Sequence, residues 1–388
     1  MKAARRLASL EAYPFAVLEE KVAALRAEGR DVIDLGVGSP KQPVPEFVRA
    51  TLKEAVDRRA ETGYPTYEGN LQFRRACADY LQRRFGLRLD PDENITACIG
   101  SKEMVFHLPM AFLDDGEIAL LPTPGYSPYW RGATLCGGRY HLMPLRAEND
   151  WLPDFESLPE EVVDRAAYVV VNYPNNPTGA CADIDFYRRL AAWARARDIL
   201  LVSDEAYVDV YFDEPAPSAL QTGVDGTVAI FSLSKRSAMA NYRIGFAAGD
   251  PDAIAAMRKL KTNIDAGPPD FVQDAAAAAL GDERHTAALR GSWRRAAAAL
   301  TDGLRRAGVD ARMPEGTFYV WAPTPDGSGV DFALRLLQTC GVVAMPGEWL
   351  CAPGDDSGAG RVRFALVESE ERVMEAAERI STAGAELA

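Results

Sequence analysis

Between about residues 90 and 250, short apolar runs end repeatedly at polar or turn-forming residues. Ile118-Ala119-Leu120-Leu121 stops at Pro122, Tyr168-Val169-Val170-Val171 at Asn172, and Ile199-Leu200-Leu201-Val202 at Ser203-Asp204. Thr227 to Phe231 stops at the segment Ser232-Leu233-Ser234-Lys235. These runs are rich in branched side chains and do not alternate with polar ones, the pattern of strands buried on both faces. Helical spacing fills the gaps, as in Asp185 to Arg197, where Phe186, Leu190 and Trp193 fall on one face. Strands alternating with helices predict an α/β domain with a mostly parallel central sheet flanked by helices. Ligands of such sheets collect at the carboxyl ends of the strands. Asp204, Lys235 and the pair Asn175-Asn176 all lie just past such ends.

The last hundred residues change character. The pattern predicts an alanine-rich helix from Asp274 to about Ala307. Strand-like runs follow at Phe318–Trp321, Gly341–Ala344 and Val362–Ala365. A closing helix is predicted from Ser369 to about Ile380, with Glu368, Glu370 and Glu371 near its positive end. This reads as a smaller α+β domain. The expected division is an N-terminal arm, residues 1–45, that joins the small domain; a large domain, 46–285; and a small C-terminal domain, 286–388.

Composition narrows the class. A chain of 388 residues with 48% hydrophobic and 26% charged residues suits a soluble globular protein with a large core. With 43 basic and 56 acidic residues the formal net charge is −13, which argues against nucleic acid or an anionic membrane as partner. No apolar stretch approaches the roughly 18 residues of a membrane span. The start, Met1 to Arg6, is basic, but Glu11 and Tyr13-Pro14 come soon after it, so the segment lacks the apolar core of a signal peptide. The six cysteines are scattered without a CxxC pair and read as reduced thiols of a cytoplasmic protein. His107, His141 and His285 stand far apart, which argues against a structural metal.

The candidate chemistry centres on Lys235. Its amine, after an apolar strand, can form a Schiff base with an aldehyde. The hydroxyls of Ser232 and Ser234, and Arg243 one loop later, suit a dianionic phosphate. An aldehyde that carries a phosphate implies pyridoxal 5′-phosphate, although the lysine motif alone fits a surface lysine equally well. Asp204 suits a protonated pyridine nitrogen, and alternatively caps the next helix. Tyr207, three residues on, can donate to a phenolic oxygen. Asn172 to Gly179 is dense in turn formers, yet its paired asparagines offer amide donors, and Asn176-Pro177 is a candidate cis bond. Ser101 and Lys102 open a helix after Ile95 to Ile99, where free N–H groups hold phosphate. Tyr126 can stack on a ring or merely pack. Arg363, inside a strand-like run, can clamp a carboxylate bidentately or form an ordinary ion pair.

Taken together, these segments resemble the fold-type I aminotransferases that use pyridoxal phosphate, over nearly the whole chain. The resemblance is closest to the LL-diaminopimelate aminotransferase group. It is carried by Tyr64-Pro65-Thr66-Tyr67-Glu68-Gly69, Ile99 to Glu103, Asn172 to Gly179, Ser232 to Lys235, Asn263-Ile264-Asp265 and Thr317 to Trp321. The resemblance implies that Lys235 binds the cofactor and shuttles the α-proton, that Asp204 pairs with the ring nitrogen, and that Asn176 and Tyr207 bond the phenolic oxygen. Tyr126 would stack on the ring. Ser101, Lys102, Ser232 and Arg243 would surround the phosphate, with Tyr64 reaching in from the second subunit of a homodimer. Arg363 and the backbone near Gly38 would hold the substrate carboxylate. The substrates implied are an amino acid and a 2-oxo acid, in lysine biosynthesis.

Three segments depart from the group. Asn241 stands where glycine is usual, and asparagine tolerates left-handed backbone. Arg236-Ser237-Ala238 replaces a polar-aromatic stretch after the lysine. Glu348 to Asp356 replaces a shorter aromatic-glycine segment, with Trp349 and Cys351 near the expected substrate. The competing expectation is a lyase or oxidase of amino acids on the same scaffold.

Overall fold

The computed structural model describes residues 4–8, 10 and 16–387. Met1–Ala3, Glu11, Tyr13 and Pro14, which bear on the signal-peptide question, lie outside the described residues. In chain order the strands are β1 (Ile33–Asp34), β2 (Ile95–Cys98), β3 (Ile118–Thr123), β4 (Arg139–Pro144), β5 (Ala166–Asn172) and β6 (Leu200–Asp204). They continue with β7 (Thr227–Ser232), β8 (Gly245–Gly249), β9 (Tyr319–Pro323), β10 (Val342–Val343), β11 (Met345–Pro346) and β12 (Arg361–Ala365).

Seven strands form the central sheet in the order β2-β8-β7-β6-β5-β3-β4. Strands β4, β3, β5, β6 and β7 pair in parallel, and β8 runs antiparallel to both its neighbours. Every residue of β3 and β7 is buried, as their unbroken apolar runs require. Helices cover both faces, and several are capped at their starts by side chains. Asn70 accepts from the N–H of Phe73, and Asp183 from that of Phe186. Phe186 and Leu190 are core residues, and Trp193 packs against the same cluster.

A second, antiparallel sheet has the order β11-β12-β9. β1 pairs in parallel with β10, Ile33 opposite Val342 and Asp34 opposite Val343. Ile33 and Leu35 therefore share a core with Trp293, Phe318 and Phe364, more than two hundred and fifty residues away in sequence. The same core takes in Tyr207 and Val210 from beyond β6, so the two sheets are bound by one apolar cluster.

Two local expectations need correction. The alanine-rich stretch is two helices, Asp270–Leu280 and Arg284–Arg306, rather than one. The break falls at Gly281, after which Asp282 accepts from the N–H of Arg284 (2.8 Å) and starts the second helix. Asn241 does not take the left-handed place; it sits in the turn Ala240–Tyr242, and Ala238 (φ 54°) and Arg243 (φ 52°) carry the positive angles. The Asn176-Pro177 bond is cis, as are Thr123-Pro124 and Tyr173-Pro174. The closing helix spans Glu370–Ala383, with Ser369 accepting from the N–H of Arg372.

Candidate active site

The carboxyl ends of β5, β6 and β7 open into a cavity of about 460 Å³, closed on its far side by residues of the second sheet. Gly38, Ser101, Tyr126, Asn176, Asp204, Tyr207, Lys235 and Arg363 all line it. Lys102, Ser232, Arg243 and Tyr64 do not. Lys102 is exposed at the helix start, Ser232 is buried with its Oγ accepting from the N–H of Ser234, and Tyr64 is 93% exposed on the surface. Arg243 lies behind Gly100, where a Cβ would come within 2.4 Å of its Nη2. Gly100, at φ 77°, thus lets the guanidinium reach the start of the helix Ser101–Phe112.

Lys235 stands in the short helix Leu233–Arg236 that follows β7. Its Nζ donates to the carbonyl of Gly38 (3.1 Å). Burial, then the cations Arg363 and Arg243, push the ammonium down to about 8, with Asp204 pulling the other way. Gly38 comes this close because it has no side chain: a Cβ there would meet the Tyr319 hydroxyl at 2.0 Å.

Asp204 ends β6 and is 4% exposed. Its Oδ2 accepts from the Tyr129 hydroxyl (2.7 Å) and its Oδ1 from the N–H of Ala206 (3.2 Å). Burial raises its pKa, and both hydrogen bonds oppose that. The Ala206 bond forms a turn, so Asp204 does not cap a helix. Asn172 holds the neighbouring loop: its Nδ2 donates to the carbonyl of Asp204 (2.7 Å), and its Oδ1 accepts from the N–H of Asn176 (3.0 Å).

Arg363 extends from the middle of β12 and is 6% exposed. Nη1 donates to Asn176 Oδ1 (2.8 Å), Nη2 to the carbonyl of Gly36 (2.9 Å), and the guanidinium lies over the Tyr319 ring (4.4 Å). Its Nε is buried without a partner among the described residues. Tyr207 and Tyr319 share a hydrogen bond between their hydroxyls (2.9 Å). Burial keeps the Tyr207 phenol protonated far above neutrality.

The family description "Aminotransferase class I and II" matches residues 30–380. The chain belongs to the class I and II aminotransferases. It is an enzyme, a transaminase of fold type I. This aminotransferase is 41% identical to the LL-diaminopimelate aminotransferase of Syntrophobacter fumaroxidans over 97% of each chain. It is 39% identical to that of Aquifex aeolicus, again over 97% of each. Among solved structures it resembles substrate-bound BacF from Bacillus subtilis, with a TM-score of 0.92, 32% identity, and coverage of 99% and 98% of the two chains. A probable N-succinyldiaminopimelate aminotransferase from Thermus thermophilus gives 0.88 at 34% identity, covering 95% and 99%.

Sequence reasoning missed two residues of this aminotransferase's site. Tyr129 anchors Asp204, and Tyr319 touches both Tyr207 and Arg363. Both lie in segments that read as aromatic packing, and only tertiary structure brings their hydroxyls and rings to the cavity. The departing segment places Trp349 and Leu350 on the cavity wall. It is fastened there by Gly125 N–H to the Leu350 carbonyl (2.8 Å) and by Thr123 Oγ1 to Asp355 (2.9 Å).

Proposed function

We propose that this aminotransferase uses pyridoxal phosphate held at Lys235, takes LL-diaminopimelate as amino donor and 2-oxoglutarate as acceptor, and works as a cytoplasmic homodimer. The observation that carries the reading is one buried cavity holding an amine pushed down to about 8 beside a buried arginine whose Nε has no partner among the described residues. The residues fit the cofactor. Lys235 has a single carbonyl partner for its amine, Asp204 is fixed by two donors, and a helix start meets a guanidinium at Gly100.

Pyridoxal phosphate, when bound, supplies an aldehyde for the amine and a ring that takes up electron density from the α-carbon. We assign Asp204 to the ring nitrogen, because Tyr129 and Ala206 prevent the carboxylate from turning away. Asn176 and Tyr207 are assigned to the phenolic oxygen; the Asn176 amide oxygen is committed to Arg363, which leaves Nδ2 as the donor. Tyr126 is assigned to the ring face. Ser101, Lys102, Ser232 and Arg243 are assigned to the phosphate, and Tyr64 to the phosphate of a partner subunit, consistent with its exposure on one chain. Arg363 clamps the α-carboxylate, supported by the backbone near Gly38. Lys235 Nζ then accepts the proton from the α-carbon, which its lowered pKa allows near neutral pH.

The donor rests on relatives named LL-diaminopimelate aminotransferases, which span nearly the full chain. Cytoplasmic placement rests on six cysteines that are all unpaired. The test is spectroscopic. Purified enzyme with pyridoxal phosphate should develop a bound-cofactor band that Lys235→Ala lacks. LL-diaminopimelate should bleach the band anaerobically and 2-oxoglutarate restore it. Bleaching by another donor alone overturns the substrate assignment. A band that no donor converts reversibly passes the reading to a lyase or oxidase.

A further inference from the structure

Arg236 follows Lys235 directly, yet it serves the opposite side of the short helix Leu233–Arg236. Lys235 lines the cavity, whereas Arg236, 4% exposed, runs into the core behind it. Its guanidinium is engaged at every nitrogen. Nε donates to Asp209 Oδ2 (2.7 Å), Nη1 to the Ala279 carbonyl (2.9 Å) and Nη2 to Glu283 Oε1 (2.9 Å). Its Cζ lies 4.9 Å from the centre of the Tyr80 ring. Asp209 is buried as deeply and also accepts from the Tyr80 hydroxyl (2.8 Å) and Arg84 Nε (3.2 Å). Burial works to raise the Asp209 pKa, but Arg236 and Arg84 outweigh it and keep the carboxylate ionised.

A buried ion pair is a poor source of stability, because desolvation costs about as much as the attraction returns. Its value lies in fixing geometry, and both ends of this pair adjoin the site. Asp209 belongs to the segment that begins at Asp204 and contains Tyr207. Beyond Arg236 the chain turns sharply through Ala238, whose φ of 54° is unfavourable for a residue with a Cβ. That turn is held by contacts from elsewhere: the N–H groups of Ser237 and Met239 both bond the Leu233 carbonyl (3.2 and 3.3 Å), and Ser237 Oγ bonds His285 Nε2 (2.8 Å).

We propose that Arg236 is a positioning residue: its buried pairing with Asp209 ties Lys235 to the Asp204–Asp209 segment and fixes the amine against Asp204 and Tyr207. The proposal rests on the roles assigned above to Lys235 and Asp204. It concerns one of the segments in which this chain departs from the group it resembles.

Arg236→Lys keeps a charge but cannot reach Asp209, Ala279 and Glu283 together. Asp209→Asn keeps the shape and removes the charge. Three quantities are read in each variant: kcat and KM for the donor, the melting temperature, and the pH dependence with which cofactor-stripped enzyme recaptures pyridoxal phosphate. Recapture requires the neutral amine, so wild type should show a midpoint of about 8. In both variants kcat should fall about 100-fold, the loss that a 1 Å misplacement brings, with KM changed far less. The recapture midpoint should move upward as Lys235 gains solvent. Arg236→Met should be worse than Arg236→Lys. A lowered melting temperature with kcat and midpoint unchanged overturns the proposal. Should the core variants fail to fold, Glu283→Gln loosens the half-exposed end of the network alone. It should shift kcat and midpoint less but in the same direction, and no shift there also overturns the proposal. Failure of the underlying reading shows separately, as a bound-cofactor band retained by Lys235→Ala.

Discussion

Glu205, next to Asp204, is a carboxyl buried with few partners. Its Oε1 accepts from Ser218 Oγ (3.0 Å) and the N–H of Ala219 (2.9 Å), while Oε2 is buried without a partner among the described residues. Burial pushes it up to about 7 against those hydrogen bonds. The folded state therefore holds this proton more tightly than the unfolded chain. Its contribution to stability is complete below the ordinary glutamate value of about 4.5 and is lost as pH rises through about 7. The full change is roughly 3 kcal/mol. Chemical denaturation at several pH values should show wild type losing stability across that window relative to Glu205→Gln. Parallel curves would mean that Glu205 is ionised in the folded protein throughout. Residue-level roles were unevenly legible in the sequence. Lys235, Asp204 and Arg363 announce themselves as charged groups at the end of, or within, apolar runs. Tyr129 and Tyr319 do not, because an aromatic in an apolar segment reads as packing until its hydroxyl is seen to meet a partner.

At the level of elements, β3, β5, β6 and β7 were readable because each is largely buried on both faces and so unbroken in its apolar run. The division of the alanine-rich stretch was not. Alanine supports a helix on either side of Gly281, and the break depends on the Asp282 carboxylate that accepts from the N–H of Arg284 and on the neighbours of each helix. The antiparallel place of β8 was equally hidden, since direction leaves no mark on composition. One glycine there is structurally obligatory. Gly249 has φ 149°, and a Cβ would lie 2.1 Å from the Thr227 carbonyl oxygen across the β7–β8 pairing. Gly249→Ala should destabilise by about 1–3 kcal/mol from overpacking, plus the backbone strain. A melting temperature within a degree of wild type would show that the two strands separate without cost. Because β7 leads directly to Lys235, the same variant should also weaken cofactor retention.

For the whole molecule, the proposed homodimer makes a quantitative demand. Tyr64 is almost fully exposed on one chain, and Tyr67 of the same segment and Ile264 of another that resembles the family are exposed as well. Sedimentation velocity should give a species of twice the chain's 42.2 kDa. Tyr64→Phe should leave that mass unchanged and loosen pyridoxal phosphate by about 1.5–3 kcal/mol, the value of one hydrogen bond to a charged group. A monomer with full activity would remove any role for Tyr64 at a neighbouring site. The cavity itself was foreseeable only in part: charged and amide groups at strand ends were visible, but not how the second sheet brings Trp349 and Arg363 over them.

The pairing of β1 with β10 has a consequence for how the protein is made. A ribosome that has delivered the chain as far as Leu280 has released all seven strands of the central sheet, with Lys235 and Asp204 among them. Ile33 and Asp34, made long before, still lack the strand they pair with, and Arg363 does not yet line the cavity. Strand β1 must wait, exposed, for β10. A nascent enzyme can thus present the amine of Lys235 while the arginine proposed as its substrate clamp is still untranslated, and the order of synthesis then withholds turnover until β12 has emerged.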